Sequence, residues 1–259
     1  MNYNYHTHTA RCGHASGTEE AYILRAMENG ITHMGFSEHA PFCFPDGYES
    51  YYRVPVALTE DYFATLRTLR EKYAGQIDLK IGYEMEYYPL HFDAMLRQAR
   101  AAGCEYLILG QHFIGNEHPD GFYTGRVTES EDDLREYTAC VLAAMETGVF
   151  TYIAHPDIIR FQGSEDIYRR EIRKICAAAR ERNIPLEINF LGIREDRWYP
   201  CDRFWKIAGE EGAPVTFGFD SHDNQAAYDG ASLSRAMELV ETYGLNYIGK
   251  PKLVLLQEI

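Results

Sequence analysis

No apolar stretch in this chain approaches the ~18 residues that a membrane-crossing helix needs. No basic segment followed by an apolar run opens it either. A soluble, cytoplasmic protein with no membrane partner is the expectation. The six cysteines, Cys12, Cys43, Cys104, Cys140, Cys176 and Cys201, include no Cys-x-x-Cys pair. Such scatter makes a poor disulfide framework and a poor thiolate metal site, and suits reduced thiols. Positive charge is short as well: 25 Lys and Arg against 39 Asp and Glu leave a net charge of −14. A binder of phosphate backbones needs a basic face, so nucleic acid is not the expected partner. Bound divalent cations could still make one pocket electropositive. Linkers rich in Pro, Gly or Ser, repeats and low-complexity tracts are all missing, and nothing specifies an oligomeric state.

What is present is ordinary globular composition, 46% hydrophobic and 25% charged, arranged in a regular alternation. After the opening strand come apolar segments "HMGFSEH", "IDLKIGYE", "EYLILGQH", "TYIAHPD", "PLEINF" and "PVTFGFDSH". Amphipathic helices separate them. Thr18 can cap a helix to Asn29, and Thr59 one to Ala74. Others are expected near 91–102, 131–147, 165–183, 202–211 and 231–243. Strands alternating with helices argue for a parallel sheet. Seven such units without a linker argue for one closed or nearly closed α/β barrel over residues 1–259. The loops at about 40–56 and 113–129 are long enough to be lids or binding loops.

The histidines are unevenly placed. His6 and His8 end the first strand and His14 follows in "YHTHTARCGHASG". His39, His112 and His155 end three later strands, and His222 ends the last with Asp220; Glu84 ends the third. In a βα barrel these positions share one rim, where active sites form. Seven of the ten histidines fall there. His-x-His on a strand presents both rings to one face, so they can share a metal. The plain alternative is a set of strand-capping and loop histidines. His33 and His91 read as structural, and His118 as solvent-exposed or substrate-facing.

The ordered set "HTHT", "GHASGT", "SEH", "GYEMEY", "GQHF", "AHPD", "EIN" and "FDSH" resembles the polymerase and histidinol phosphatase (PHP) family, most of all its stand-alone histidinol-phosphatase branch. The resemblance implies a distorted seven-stranded (β/α)7, TIM-like barrel with a metal site at the C-terminal ends of its strands. It implies three divalent transition-metal ions. His6, His8, Glu84 and Asp220 would surround the first. Glu84 would bridge to a second, held also by His112 and His155. His14, His39 and His222 would take the third. Asn4 stands where family members often carry Asp, and is expected to orient an imidazole.

The implied reaction is phosphomonoester hydrolysis by a hydroxide bridging two ions, with Glu84, Asp220 and His222 in the catalytic centre. L-Histidinol phosphate would be the substrate. Nitrogen-rich, mixed-oxygen ligation suits Zn, Fe, Mn or Co. Arginine forks match phosphate oxygens, and Arg160 and Arg197 are the expected grip, with Arg194 next. His118 completes the candidate substrate contacts with Asn189, which ends its strand where it can touch substrate or stand behind a metal ligand. The loop Pro41–Tyr52 offers aromatic faces, Asp46 and Glu49 to a cationic substrate. Nucleotides or other small phosphate esters are the rival substrates. An amidohydrolase-type C–N hydrolase is a weaker rival, because "LGQH" supplies His112 where a bridging lysine would be wanted.

Overall fold

Crossover helices between strands force those strands parallel. The computed structural model, which describes residues 1–259, shows that arrangement. Strands β1 (Tyr3–Asn4), β2 (His33–His39), β3 (Asp78–Met85) and β4 (Leu107–Leu109) follow one another in the sheet. A small antiparallel pair, β5 (Phe113–Ile114) and β6 (Phe122–Tyr123), lies apart in the second long loop. The sheet resumes with β7 (Phe150–Ile153), β8 (Leu186–Asn189), β9 (Pro214–Gly218) and β10 (Asn246–Tyr247).

The sheet closes at one rim. Just beyond β1, Thr7 bridges Ser221, just beyond β9. The His8 N–H donates to the Ser221 carbonyl at 3.0 Å, and the Ser221 N–H to the His6 carbonyl at 3.3 Å. At its other end β9 pairs with β10, Asn246 lying opposite Pro214. Seven strands therefore form the expected ring, and an eighth is added at the end away from His6 and His8. The sequence reading has no β10 because two residues are too few for apolar alternation to register.

Helices α1 (Glu19–Glu28), α2 (Thr59–Lys72), α3 (Phe92–Ala102), α4 (Glu131–Glu146) and α5 (Glu165–Arg182) fall where expected. So do α7 (Asp202–Glu211) and α8 (Gly230–Tyr243), whereas the short α6 (Phe190–Arg194) replaces an expected loop. Thr18 caps α1, accepting from the Ala21 N–H. Thr59 does not cap α2: a 3-10 turn, Val56–Leu58, feeds straight into the helix and makes Thr59 its first residue.

Most of the core, 61 buried residues, lies in one cluster that joins sheet and helices. The barrel interior holds a separate cluster of Tyr3, Tyr5, Tyr106, Ile108, Tyr152 and Ala154. Tyr106 spans this interior and donates its hydroxyl to the Tyr5 carbonyl at 2.8 Å. Gly35 on β2 and Gly82 on β3 leave room for its ring; a Cβ on Gly35 would overlap the Tyr106 hydroxyl. Below, the C-terminal segment closes the barrel. The Val254 N–H donates to Thr151 Oγ1 at 3.1 Å, and Leu253 packs on the inner cluster. Gly35→Ala is expected to cost about 1–3 kcal/mol by overpacking, read as a lower urea midpoint at unchanged m-value.

Candidate metal centre

The register of the sheet assembles the site. His39 and Glu84 are direct partners across β2 and β3. Closure of the ring sets His6 and His8 beside Asp220. Glu84 stands at the centre and is 1% exposed. Its Oε1 lies 2.8 Å from His155 Nε2 and 3.5 Å from His112 Nε2. Its Oε2 lies 3.1 Å from His39 Nδ1, 3.5 Å from His8 Nε2 and 3.6 Å from His6 Nε2. Asp220 Oδ1 is 3.2 Å from His8 Nε2, 3.3 Å from His222 Nδ1 and 3.5 Å from His6 Nε2. His14 and His222 face each other through Nε2 atoms 3.1 Å apart. All nine residues named from the sequence thus converge.

These residues fit metal ions. His6 Nε2, His8 Nε2, His39 Nδ1, Glu84 Oε2 and Asp220 Oδ1 are buried and have no hydrogen-bond partner. Each such atom costs about 1–3 kcal/mol unless something satisfies it. A tetrahedral ion with ligands at about 2.0–2.1 Å needs donors about 3.3–3.4 Å apart, and most of the separations above lie close to that. His14, His39 and His222 form one triple of converging donors, and His6, His8 and Glu84 another.

The electrostatics agree. Burial opposes the charge of Glu84, but His112 and His6 hold its carboxyl well below the usual range. Asp220 is likewise held down, against burial, by His6 and His8. Burial and the neighbouring His8 push His222 down to about 3, and His14 and His39 are also lowered by burial and His8. The last three are therefore neutral imidazoles, the form that binds metal, whereas neighbouring carboxylates, against burial, raise His6, His8 and His112, which must release a proton as a metal binds. His155 and Asp220 both have positive φ, 30° and 48°. Such strain in non-glycine residues persists only where the surroundings enforce it.

Three further carboxylates are absent from the sequence reading as site residues. Glu187 on β8 accepts from His6 Nδ1 at 2.9 Å, Glu38 on β2 from His8 Nδ1 at 3.1 Å, and Glu86 from His112 Nδ1 at 2.9 Å. Each fixes the tautomer that turns Nε2 inward. The signal was available: Glu86 follows Glu84 by two and shares its strand face, and Glu38 and Glu187 are acids within apolar strands. Space for these groups comes from glycine. A Cβ on Gly110 would collide with the Glu84 carboxylate, and one on Gly218 with that of Glu187.

Other expected residues take other places. Asn4 orients no imidazole. It accepts from the Phe219 N–H at 3.0 Å and donates to Thr7 Oγ1 at 2.8 Å, bracing the barrel seam, where an amide can do both. Asn189 does not line the cleft above the site. Its amide donates to Glu187 and Asp220 at 2.9 and 3.0 Å, and its Oδ1 caps α6. Arg194 on α6 donates to the Asp220 carbonyl at 3.3 Å and pairs with Asp229.

The cleft, of about 660 Å³, is walled by Tyr51, Tyr52, Phe113, Tyr123 and Tyr199, with Glu195 and Arg197 among its lining. Arg197 donates from Nη2 and Nε to the one oxygen Glu195 Oε2, at 2.6 and 2.9 Å, and from Nη1 to the Tyr199 hydroxyl at 3.0 Å. Arg160 is not brought into the cleft; it is exposed, its guanidinium 5.1 Å from the Trp198 ring centroid. His118 is also outside, stacked on Tyr48 and paired with Asp46 at 2.7 Å. Of the loop Pro41–Tyr52, only Tyr51 and Tyr52 line the cleft, because Asp46 is committed to His118 and Glu49 accepts from the Val56 N–H. Glu187→Gln is expected to weaken metal binding about 10–100-fold, read by chelator competition, with the fold retained by circular dichroism.

Comparison with known proteins agrees with this geometry. The chain is similar to the probable histidinol-phosphatase of Deinococcus radiodurans, 26% identical over 84% of this chain and 85% of that one. It is similar to the histidinol-phosphatase of Lactococcus lactis, 26% identical over 94% and 91%. The crystal structure of the Lactococcus lactis histidinol phosphate phosphatase, complexed with zinc, L-histidinol and phosphate, superposes with a TM-score of 0.70 at 22% identity over 95% of both chains. The PHP domain model matches residues 4–190, a span that holds seven of the nine converging donors. With the barrel, its rim of donors and this match in agreement, the chain belongs to the PHP domain family.

Proposed function

We propose that this chain hydrolyses L-histidinol phosphate to L-histidinol and inorganic phosphate, with three divalent transition-metal ions held on the barrel rim. The observation that carries the reading is the set of buried, unpartnered nitrogens and oxygens converging below a cleft that Arg197 lines. His6, His8, Glu84 and Asp220 would hold one ion, Glu84, His112 and His155 a second, and His14, His39 and His222 the third. Divalent ions so held supply a nucleophile at neutral pH and neutralise phosphoryl oxygens. Zinc is the metal of the Lactococcus lactis structure, and Fe, Mn and Co suit the same nitrogen-rich donors. That relative binds L-histidinol and phosphate, and two similar proteins carry the histidinol-phosphatase name.

The chain's own groups account for the rest. Glu84 turns Oε1 to His155 and His112 and Oε2 to His39, His8 and His6, so it would be a ligand held in common by the first two ions. Arg197 is pre-extended into the cleft by Glu195 and Tyr199. Its fork matches phosphate oxygens and serves best as charge builds on them in the transition state. The aromatic walls and the Glu195 carboxylate suit an imidazole and an ammonium. Arg160 reaches a substrate only by leaving Trp198.

Metal-replete protein should show its highest kcat/KM with histidinol phosphate when nucleoside monophosphates and sugar phosphates are assayed beside it. A flat profile would instead make it a broader small-molecule phosphatase, and no turnover at full metal loading overturns the reading. Elemental analysis should find about three ions per chain. Glu84→Ala should depress kcat more than His14→Ala, since Glu84 serves two ions and His14 one.

Arg197→Met should lower kcat/KM on the order of 10²-fold and weaken inhibition by inorganic phosphate, with metal content unchanged. Arg160→Met should have the smaller effect. Wild-type kinetics in the Arg197 variant would remove it from the phosphate grip.

A further inference from the structure

Arg53, on the loop following β2, is the one buried arginine or lysine of the chain, at 2% exposure, and the reaction leaves it unexplained. Its Nη2 is ion-paired with Glu86 Oε2 at 2.7 Å without a hydrogen bond to it, and its Nε and Nη2 both donate to Glu117 Oε2 at 3.0 Å. Nη1 donates to the carbonyl of Ala40, the residue after His39, at 3.0 Å. Nη2 also donates to the hydroxyls of Tyr88 at 3.0 Å and Tyr52 at 3.3 Å. Glu86 turns its other oxygen to His112 Nδ1. Tyr52 in turn meets His39 edge-on, with ring centroids 5.6 Å apart.

We propose that Arg53 is a positioning residue for the metal centre, fixing the His112 imidazole through Glu86 and tying both long loops to the rim. The inference rests on the metal reading above. The chemistry requires a guanidinium there. Two buried carboxylates and two hydroxyls converge from different elements, and a planar guanidinium can face both carboxylates with one delocalised charge while its N–H groups are shared among the remaining oxygens. An ammonium is a point charge with three donors and must abandon some of them. Glu86 can hold His112 in one orientation only while its own second oxygen is held. Without the fork, Glu86 is free to rotate, and the His112 tautomer and ring angle loosen with it.

The test is chelator competition with zinc alone on wild type, Arg53→Lys, Glu86→Gln, the double variant and Glu117→Gln, with melting temperature recorded beside each. Arg53→Lys should weaken one zinc equivalent about 10–100-fold and leave the others. Glu86→Gln, which keeps shape and guards against a misfolded Arg53 variant, should weaken the same equivalent. The double variant should be no worse than either single one, since both break one chain of contacts. Glu117→Gln should lower the melting temperature while zinc affinity stays at wild type. Wild-type zinc affinities in Arg53→Lys, or equal weakening by Glu117→Gln, would overturn the proposal and leave Arg53 a stabilising residue only. Wild-type protein that takes up no zinc overturns the metal reading itself, and this inference with it.

Discussion

A buried carboxylate surrounded by imidazoles is the constraint on which the rest of this structure depends. Glu84 has almost no contact with solvent, yet five ring nitrogens approach its two oxygens within 3.6 Å. Protein groups alone do not satisfy that arrangement, because several of those nitrogens have no partner. Polar atoms are buried without partners only where a bound group completes them or where the fold tolerates the cost. The fold contributes the enforcement. The bridge from Thr7 to Ser221 that closes the barrel is flanked by His6, His8, Asp220 and His222. Closing the ring and assembling the centre are one event, and each constrains the other.

Enforcement takes space, and the sequence makes it with small residues. Gly110 and Gly218 leave room for Glu84 and Glu187, and Gly35 and Gly82 for the Tyr106 ring below. Each removes a side chain that β-structure would otherwise favour. The barrel compensates with its tyrosine-filled interior and with hydrogen bonds at the seam. A rigid floor of this kind keeps the donors above it from relaxing toward one another.

Much of this was legible in the sequence, for reasons that differ by residue. The strand ends could be read because apolar runs stop at Gly, Glu or His, and the metal donors stand at those stops. His14 could be read because it follows the first pair within a short loop. The carboxylates behind the donors were less legible. Glu38 and Glu86 lie beside assigned ligands, and only the strand register shows which ring each one holds. Arg160 was misleading because a loop after a strand end predicts proximity to the rim but not direction, and Trp198 offers its guanidinium a competing face. Arg53 was invisible, since burial of an arginine depends on two carboxylates far apart in the chain. Asn4 was misassigned because adjacency to His6 in sequence placed it by the wrong part of that residue: it serves the backbone, not the ring.

The acidity of the chain and its proposed dianionic substrate are compatible once distance is considered. The exposed part of the net charge of −14 is screened over about 8 Å at physiological salt. At the rim, by contrast, the carboxylates are few, buried and already faced by imidazoles. Three dications there would place about six positive charges within one small, poorly screened volume. Glu84 and Asp220, with Glu38, Glu86 and Glu187 behind the imidazoles, would return about five negative ones, so the positive charge left over would be small and concentrated at the ions themselves. A phosphate monoester is thus attracted by the local centre despite the global sign, whereas a polyanion long enough to reach across the acidic surface meets repulsion beyond the cleft.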